Sequence, residues 1–218
     1  TVRVNGQEYT LQQATRFLED PDRNLREEVY HKINKRRLAD KDALNELFST
    51  LLAKRNEVAI NAGFHSYTEF RFLELGRFDY TQDDCFQFHE AVKLHVMPLV
   101  NELYEARRKK LGIDTLRPWD IDAEPLGTKP LHPFNDGNEL TDKAIACFDK
   151  LMPFFGDCLR KMKAMGHLDL DSRKGKAPGG YNCPLAESGA PFIFMNAAGQ
   201  LDDVTTMVHE GGHAIHSF

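Results

Sequence analysis

The sequence predicts a mainly α, multi-helical fold with one small β-sheet near its carboxyl end. Three observations carry that expectation. Apolar residues recur at helical spacing through most of residues 10–165. Helix start and stop signals punctuate the same stretch. Beyond Gly166 the character changes: Gly175, Gly179, Gly180 and Gly189 precede a short aromatic and branched run, and a helix carrying His209-Glu210-Gly211-Gly212-His213 follows.

Taken in order, Val2 to Tyr9 alternates around Asn5-Gly6 and reads as a short hairpin. Thr10 with Gln13 forms a capping box that starts a short helix. Asp20-Pro21 reads as a cap followed by proline at the first helical position. Helical spacing then runs through Leu25, Val29, Ile33 and Leu38, breaks near Asp40, resumes through Leu44, Leu47, Phe48, Leu51 and Leu52, and ends at Gly63. Ser66 with Glu69 opens a helix that stops near Gly76. Thr81 with Asp84 opens a longer one, through Phe86, Phe88, Val92, Leu94, Leu99 and Leu103 to Gly112, with a kink expected at Pro98.

Arg117 to Asn138 carries Pro118, Pro125, Pro130 and Pro133 and reads as an irregular connection. Residues 140–165 read as one helix that buries Ile145, Phe148, Leu151, Phe154, Phe155 and Leu159. Pro191 to Asn196 reads as a strand. In the last helix Asp202 is expected to cap and Asp203 to suit the positive end. The Leu, Phe and Val stripes are expected to be core. Lys35-Arg36-Arg37 and Arg107 to Lys110 are expected to be solvated helix ends. The expected division is a helical region over 1–165 and a sheet-plus-motif-helix region over 166–218.

Composition narrows the function classes. Of the 218 residues 41% are hydrophobic and the net charge is −5, which is globular and gives no reason to invoke nucleic acid or an anionic membrane as a partner. No apolar run reaches the roughly 18 residues that span a bilayer. Cys85, Cys147, Cys158 and Cys183 lack CxxC spacing, so each is expected to be a buried, reduced thiol, as in a cytoplasmic protein. The chain holds no internal repeat, phosphate-binding glycine loop or Ser/His/Asp arrangement. It begins at Thr1 rather than Met and stops at Phe218 inside the motif helix without a stop signal. The expectation is therefore a segment of a longer protein, or one piece of a split one.

The motif has a mechanical logic. Residues four apart on a helix share a face, about 6 Å apart along the axis, so His209 and His213 can converge on one Zn²⁺. Glu210 can then act as general base on an attacking water. His216 lies about 10 Å along the axis from His209, too far for the same ion to hold both, and reads as a histidine that supports a ligand from behind or simply packs. A HExxHxxGxxH layout would need Gly where His216 stands. Gly211 and Gly212 either admit a packed backbone or leave room beside the metal. The strand before the helix is either an ordinary buried strand or an edge with which an extended peptide pairs.

Gly175-Lys176-Ala177-Pro178-Gly179-Gly180-Tyr181, the strand Pro191 to Asn196, and Leu201 to Val204 leading into His209 to Ser217 resemble the oligoendopeptidase F family, which belongs with thimet oligopeptidase and its relatives. Asp22 to Arg26 and Leu51 to Arg55 fit more loosely. The resemblance implies an oligopeptidase-type helical fold enclosing a deep channel, with residues 1–165 forming part of its wall and a small sheet beside the zinc helix. It implies cleavage of short peptides. His209 and His213 would be zinc ligands and Glu210 the general base, with Ile193, Phe194 and Met195 aligning substrate. The family's third ligand is a glutamate on a later helix, and its Tyr and His oxyanion donors come later still. The remainder of the polypeptide or a second chain would have to supply them. The competing expectations are a non-catalytic helical peptide-binding module and one chain of a split peptidase.

Overall fold

The computed structural model describes residues 1–124, 128 and 130–218. In chain order its elements are β1 (Val2–Val4), β2 (Gln7–Tyr9), α1 (Leu11–Thr15), α2 (Arg23–Leu38), α3 (Lys41–Asn61), α4 (Tyr67–Glu74), α5 (Gln82–Ala91), α6 (Met97–Leu111), α7 (Gly137–Leu151), α8 (Pro153–Ala164), β3 (Leu168–Asp171), β4 (Tyr181–Cys183), β5 (Phe192–Ala197) and α9 (Leu201–His216). This is the mainly helical fold expected. Among the described residues no helix is long and apolar enough to cross a membrane.

The chain divides into two compact units, residues 1–33 with 117–218 and residues 34–116. That differs from the division expected at residue 165. α7 and α8 belong with the sheet because Leu140, Phe148, Leu159 and Met162 share one core with Ile193, Met195, Met207 and Ala214.

In the first unit, β1 and β2 pair antiparallel with Val2 opposite Tyr9. Asn5 and Gly6 both take positive φ (50° and 80°), the backbone a two-residue type I′ turn requires. Thr10 accepts the Gln13 N–H at 3.0 Å and Gln13 Oε1 accepts the Thr10 N–H at 3.0 Å, closing the expected capping box. α2 starts two residues later than expected. The Asp22 carboxylate accepts the Asn24 N–H at 2.9 Å, while Asp20 accepts the Asp22 N–H at 2.8 Å. The Arg26 guanidinium takes the carbonyls of Asp20 and Pro21, which holds both outside the helix.

The single helix expected over 140–165 is two. Pro153 has no N–H to continue α7, and Met152 before it is extended (φ −162°, ψ 128°). The break rotates the apolar faces, so Leu151 and Phe154 are exposed while Phe148 and Leu159 are buried. Pro118 to Asp120 forms a short 3₁₀ turn inside the expected irregular connection. Pro125, part of that connection, lies outside the described residues. Cys158 is buried and burial pushes its thiol pKa up, but Cys147 and Cys183 are exposed, against expectation.

In the second unit, Ser66 and Thr81 cap α4 and α5 as expected. A π-helical turn at Val92–Val96 separates α5 from α6, next to Pro98, and Gly112 ends α6 in the left-handed conformation (φ 65°). Lys35-Arg36-Arg37 and Arg108 to Lys110 do fall in last turns. The apolar stripes of this unit are not core: Leu44, Leu47, Phe48, Phe86, Phe88, Leu99 and Leu103 are all exposed.

Candidate functional site

α9 is fixed before it reaches the motif. Its amino terminus is held by Asp203, not by the expected Asp202. The Asp203 carboxylate accepts the backbone N–H groups of Ala198 at 2.8 Å and Gln200 at 2.9 Å. Gln200 accepts from the Thr15 hydroxyl at 2.7 Å and donates to Glu19 at 2.7 Å. Burial pushes the Glu19 carboxyl pKa up, against the lowering effect of that hydrogen bond. Met207, Glu210, Gly211 and Ala214, at i, i+3, i+4 and i+7, form the buried face of the helix. A Cβ on Gly211 would stand 3.2 Å from Phe148 Cε2, so this glycine serves close packing, whereas Gly212 faces open space.

His209 and His213 stand together on the opposite, exposed face. Their Nε2 atoms are 3.2 Å apart, and the rings meet edge to face with centroids at 4.7 Å and an interplanar angle of 88°. Two nitrogens bound to a tetrahedral zinc at 2.0–2.1 Å would be about 3.3–3.4 Å apart, so the pair already has the spacing of two ligands. Glu210 is buried, on the side of the buried face nearest His209 and His213 by its place in the helix. His216 is exposed at the last residue of α9 and makes no hydrogen bond to either histidine among the described residues. Among the described residues no group of three or more His, Cys, Asp or Glu side chains is arranged to hold a metal.

The sheet order is β3-β5-β4, with β3 parallel and β4 antiparallel to β5. Of the two expectations for the strand that holds Ile193, Phe194 and Met195, this order favours a strand inside the sheet over a free edge. β5 is the central strand, with neighbours on both edges. Ile193 and Met195 point into the core, and Phe194 stacks on Tyr181 at 5.0 Å between ring centroids. The two edges among the described residues are β3 and β4, and the one that runs beside α9 is β4, which sequence reading missed. Its start runs beside α9, where a Cβ on Gly180 would stand 3.3 Å from Thr206 Cγ2.

The register fixes which backbone groups β4 turns outward. The Ile193 N–H donates to the His167 carbonyl, so Ile193 faces β3 and its neighbours Phe192 and Phe194 face β4. Their partners Cys183 and Tyr181 therefore face β5, and the N–H and C=O of Asn182 point away from the sheet. Three residues are too few to show a period, and Gly179-Gly180 before them was the available signal. For β3, the alternation Leu168-Asp169-Leu170-Asp171 was in plain sight.

Residues 16–218 match the family model described as Peptidase family M3. The chain belongs to peptidase family M3. Group B oligopeptidase PepB of Streptococcus agalactiae serotype III (strain NEM316), to which this chain is similar, is 23% identical over 202 residues, 92% of this chain and 32% of that protein. An oligoendopeptidase F homolog of Lactococcus lactis subsp. lactis (strain IL1403) is 31% identical over 131 residues, 59% of this chain and 20% of that protein. The solved structure of PZ peptidase A with inhibitor 2 superposes with a TM-score of 0.91 at 30% identity, over 97% of this chain and 38% of that one. This M3 chain thus spans about a third or less of the length of the curated relatives it matches.

Proposed function

We propose that this chain carries the metal-binding and peptide-aligning part of a zinc-dependent oligopeptidase that hydrolyses short peptides. The 3.2 Å spacing of the His209 and His213 Nε2 atoms is the observation that carries the reading. Those two imidazoles would hold the ion, and zinc when bound supplies Lewis acidity to the scissile carbonyl and to water. Glu210 takes a proton from the attacking water and delivers it to the leaving amine. His216, three residues beyond His213 at the end of α9, stands outside the ion's reach and is given no part in holding it. A third protein ligand comes from the remainder of the polypeptide or from a second chain.

The substrate backbone lies along β4, where the outward N–H and C=O of Asn182 exchange hydrogen bonds with it. Membership of family M3 and the oligopeptidase names of the relatives support peptide substrates. A cytoplasmic location belongs to the same reading and is supported by the four free thiols, and the net charge of −5 gives no reason to add a nucleic-acid or anionic-membrane partner. In the longest natural form, Glu210→Gln should keep its zinc and lose about 10²-fold or more in kcat. Undiminished cleavage of a quenched fluorescent peptide by that variant would sink the assignment.

One observation favours a second reading, a non-catalytic peptide-binding module: the described residues assemble only two ligands. Its signature is peptide affinity that a chelator leaves unchanged.

A further inference from the structure

The stretch that leads into β4 is tethered from two sides. The Lys176 side chain is only 1% exposed. Its ammonium donates to the Asp169 carbonyl at 2.9 Å, to Asp169 Oδ1 at 3.0 Å and to the Asp171 carbonyl at 2.9 Å, which matches three donors to three acceptors. These acceptors flank the register shift in β3 between Asp169 and Asp171. The same ammonium sits 4.5 Å from the centroid of the Phe194 ring. Arg173 holds the other side of Asp169, and the two cations lower that carboxyl to about 2, so the acceptor stays charged at neutral and mildly acidic pH. From β5, Asn196 Nδ2 donates to the Ala177 carbonyl at 2.8 Å and the Gly179 carbonyl at 2.9 Å.

Such tethering answers a specific weakness. β4 has three residues and follows Gly179 (φ 101°) and Gly180, a sequence that loses much conformational entropy on ordering. A strand this short pins its register weakly, and a slip of one residue would turn Asn182 inward and Tyr181 outward. We propose that Lys176 and Asn196 are positioning residues for the peptide: they fix residues 176–180, so that β4 keeps the register that presents Asn182 beside α9. The inference rests on the proposed reading that β4 aligns the substrate.

The test uses the longest natural form of the protein. Lys176→Met removes the ammonium and keeps the stem; Asn196→Asp turns two donors into a carboxylate facing two carbonyls. Each should raise KM for a quenched fluorescent peptide about tenfold or more and leave kcat within about twofold. Bound zinc should be unchanged. Amide exchange should quicken across residues 177–183 and stay as it was in α9. Should Lys176→Met not fold, Asn196→Asp, at a half-buried position, carries the test. Quickened exchange with an unchanged KM overturns the proposal, and so does unchanged exchange in both variants. A wild-type protein that cuts no peptide brings down the proposed function, and this inference with it, before any variant is made.

Discussion

The two units use the same local grammar and end differently. In residues 1–33 with 117–218, capped helices close over two apolar clusters, one under the hairpin and one between α7, α8, α9 and the sheet. In residues 34–116 α4 and α5 are capped as well, yet among the described residues of that unit Ala59 and Leu111 are the only buried apolar ones. A capping box or a left-handed glycine acts within one turn and needs nothing from the rest of the molecule. Burial needs a facing surface, and most of the stability of a helix comes from it. The comparison teaches that a correctly placed helix is no sign of a packed one.

The largest effect should separate the units by their charges. Asp120 is fully buried with Arg26, 2.9 Å away, so Asp120→Ala should cost about 3–5 kcal/mol in denaturant unfolding by stranding that arginine. Glu57→Ala, which breaks the exposed pair with Lys54 in the second unit, should hardly move the transition. Burial acts to raise the Asp120 carboxyl, but hydrogen bonds from Arg23, Arg26 and the Arg117 backbone outweigh it and leave its pKa lowered. Its folded pKa then lies below the unfolded value of about 3.9. The contribution is present above that value and is lost as pH falls through the folded one. The acid limb of the stability curve should therefore flatten in Asp120→Ala. An unaltered limb would count against the pair.

Next come the apolar residues. Leu159→Ala, at 0% exposure, should cost about 2–5 kcal/mol, while Leu47→Ala, at 55%, should stay within about 0.5 kcal/mol. Equal costs would break the contrast between the units. The smallest effect sharpens it inside α9. Gly212→Ala, with open space around it, should stabilise by up to about 1 kcal/mol through helix propensity. Gly211→Ala pushes on Phe148, which Phe155 backs edge to face at 6.4 Å, and should cost about 1 kcal/mol on balance. Thermal melts of the two variants should shift in opposite directions.

What the sequence showed follows the same division between local and long-range causes. The hairpin at Asn5-Gly6, the caps at Thr10, Ser66 and Thr81, the stop at Gly112 and the motif on α9 were legible because each is decided by neighbours in the chain. The break at Met152-Pro153 was also local and was overlooked, because the apolar spacing on either side runs through it. The central place of β5 was not legible, since strand order depends on β3 and β4, about 25 and 11 residues upstream by the strand ranges. That moved the proposed peptide contact from Ile193, Phe194 and Met195 to Asn182. Periodicity marked the apolar faces of α3, α5 and α6 but says nothing of what they meet. Nothing in the sequence marks Lys176 as buried; that follows only from the β3 carbonyls placed around it.

The most direct measurement is zinc content together with cleavage of a quenched fluorescent peptide library, for the longest natural form and its His213→Ala variant. The account predicts about one zinc per chain and peptide cleavage, both lost in the variant. Cleavage without bound metal, or zinc kept after His213→Ala, would contradict it.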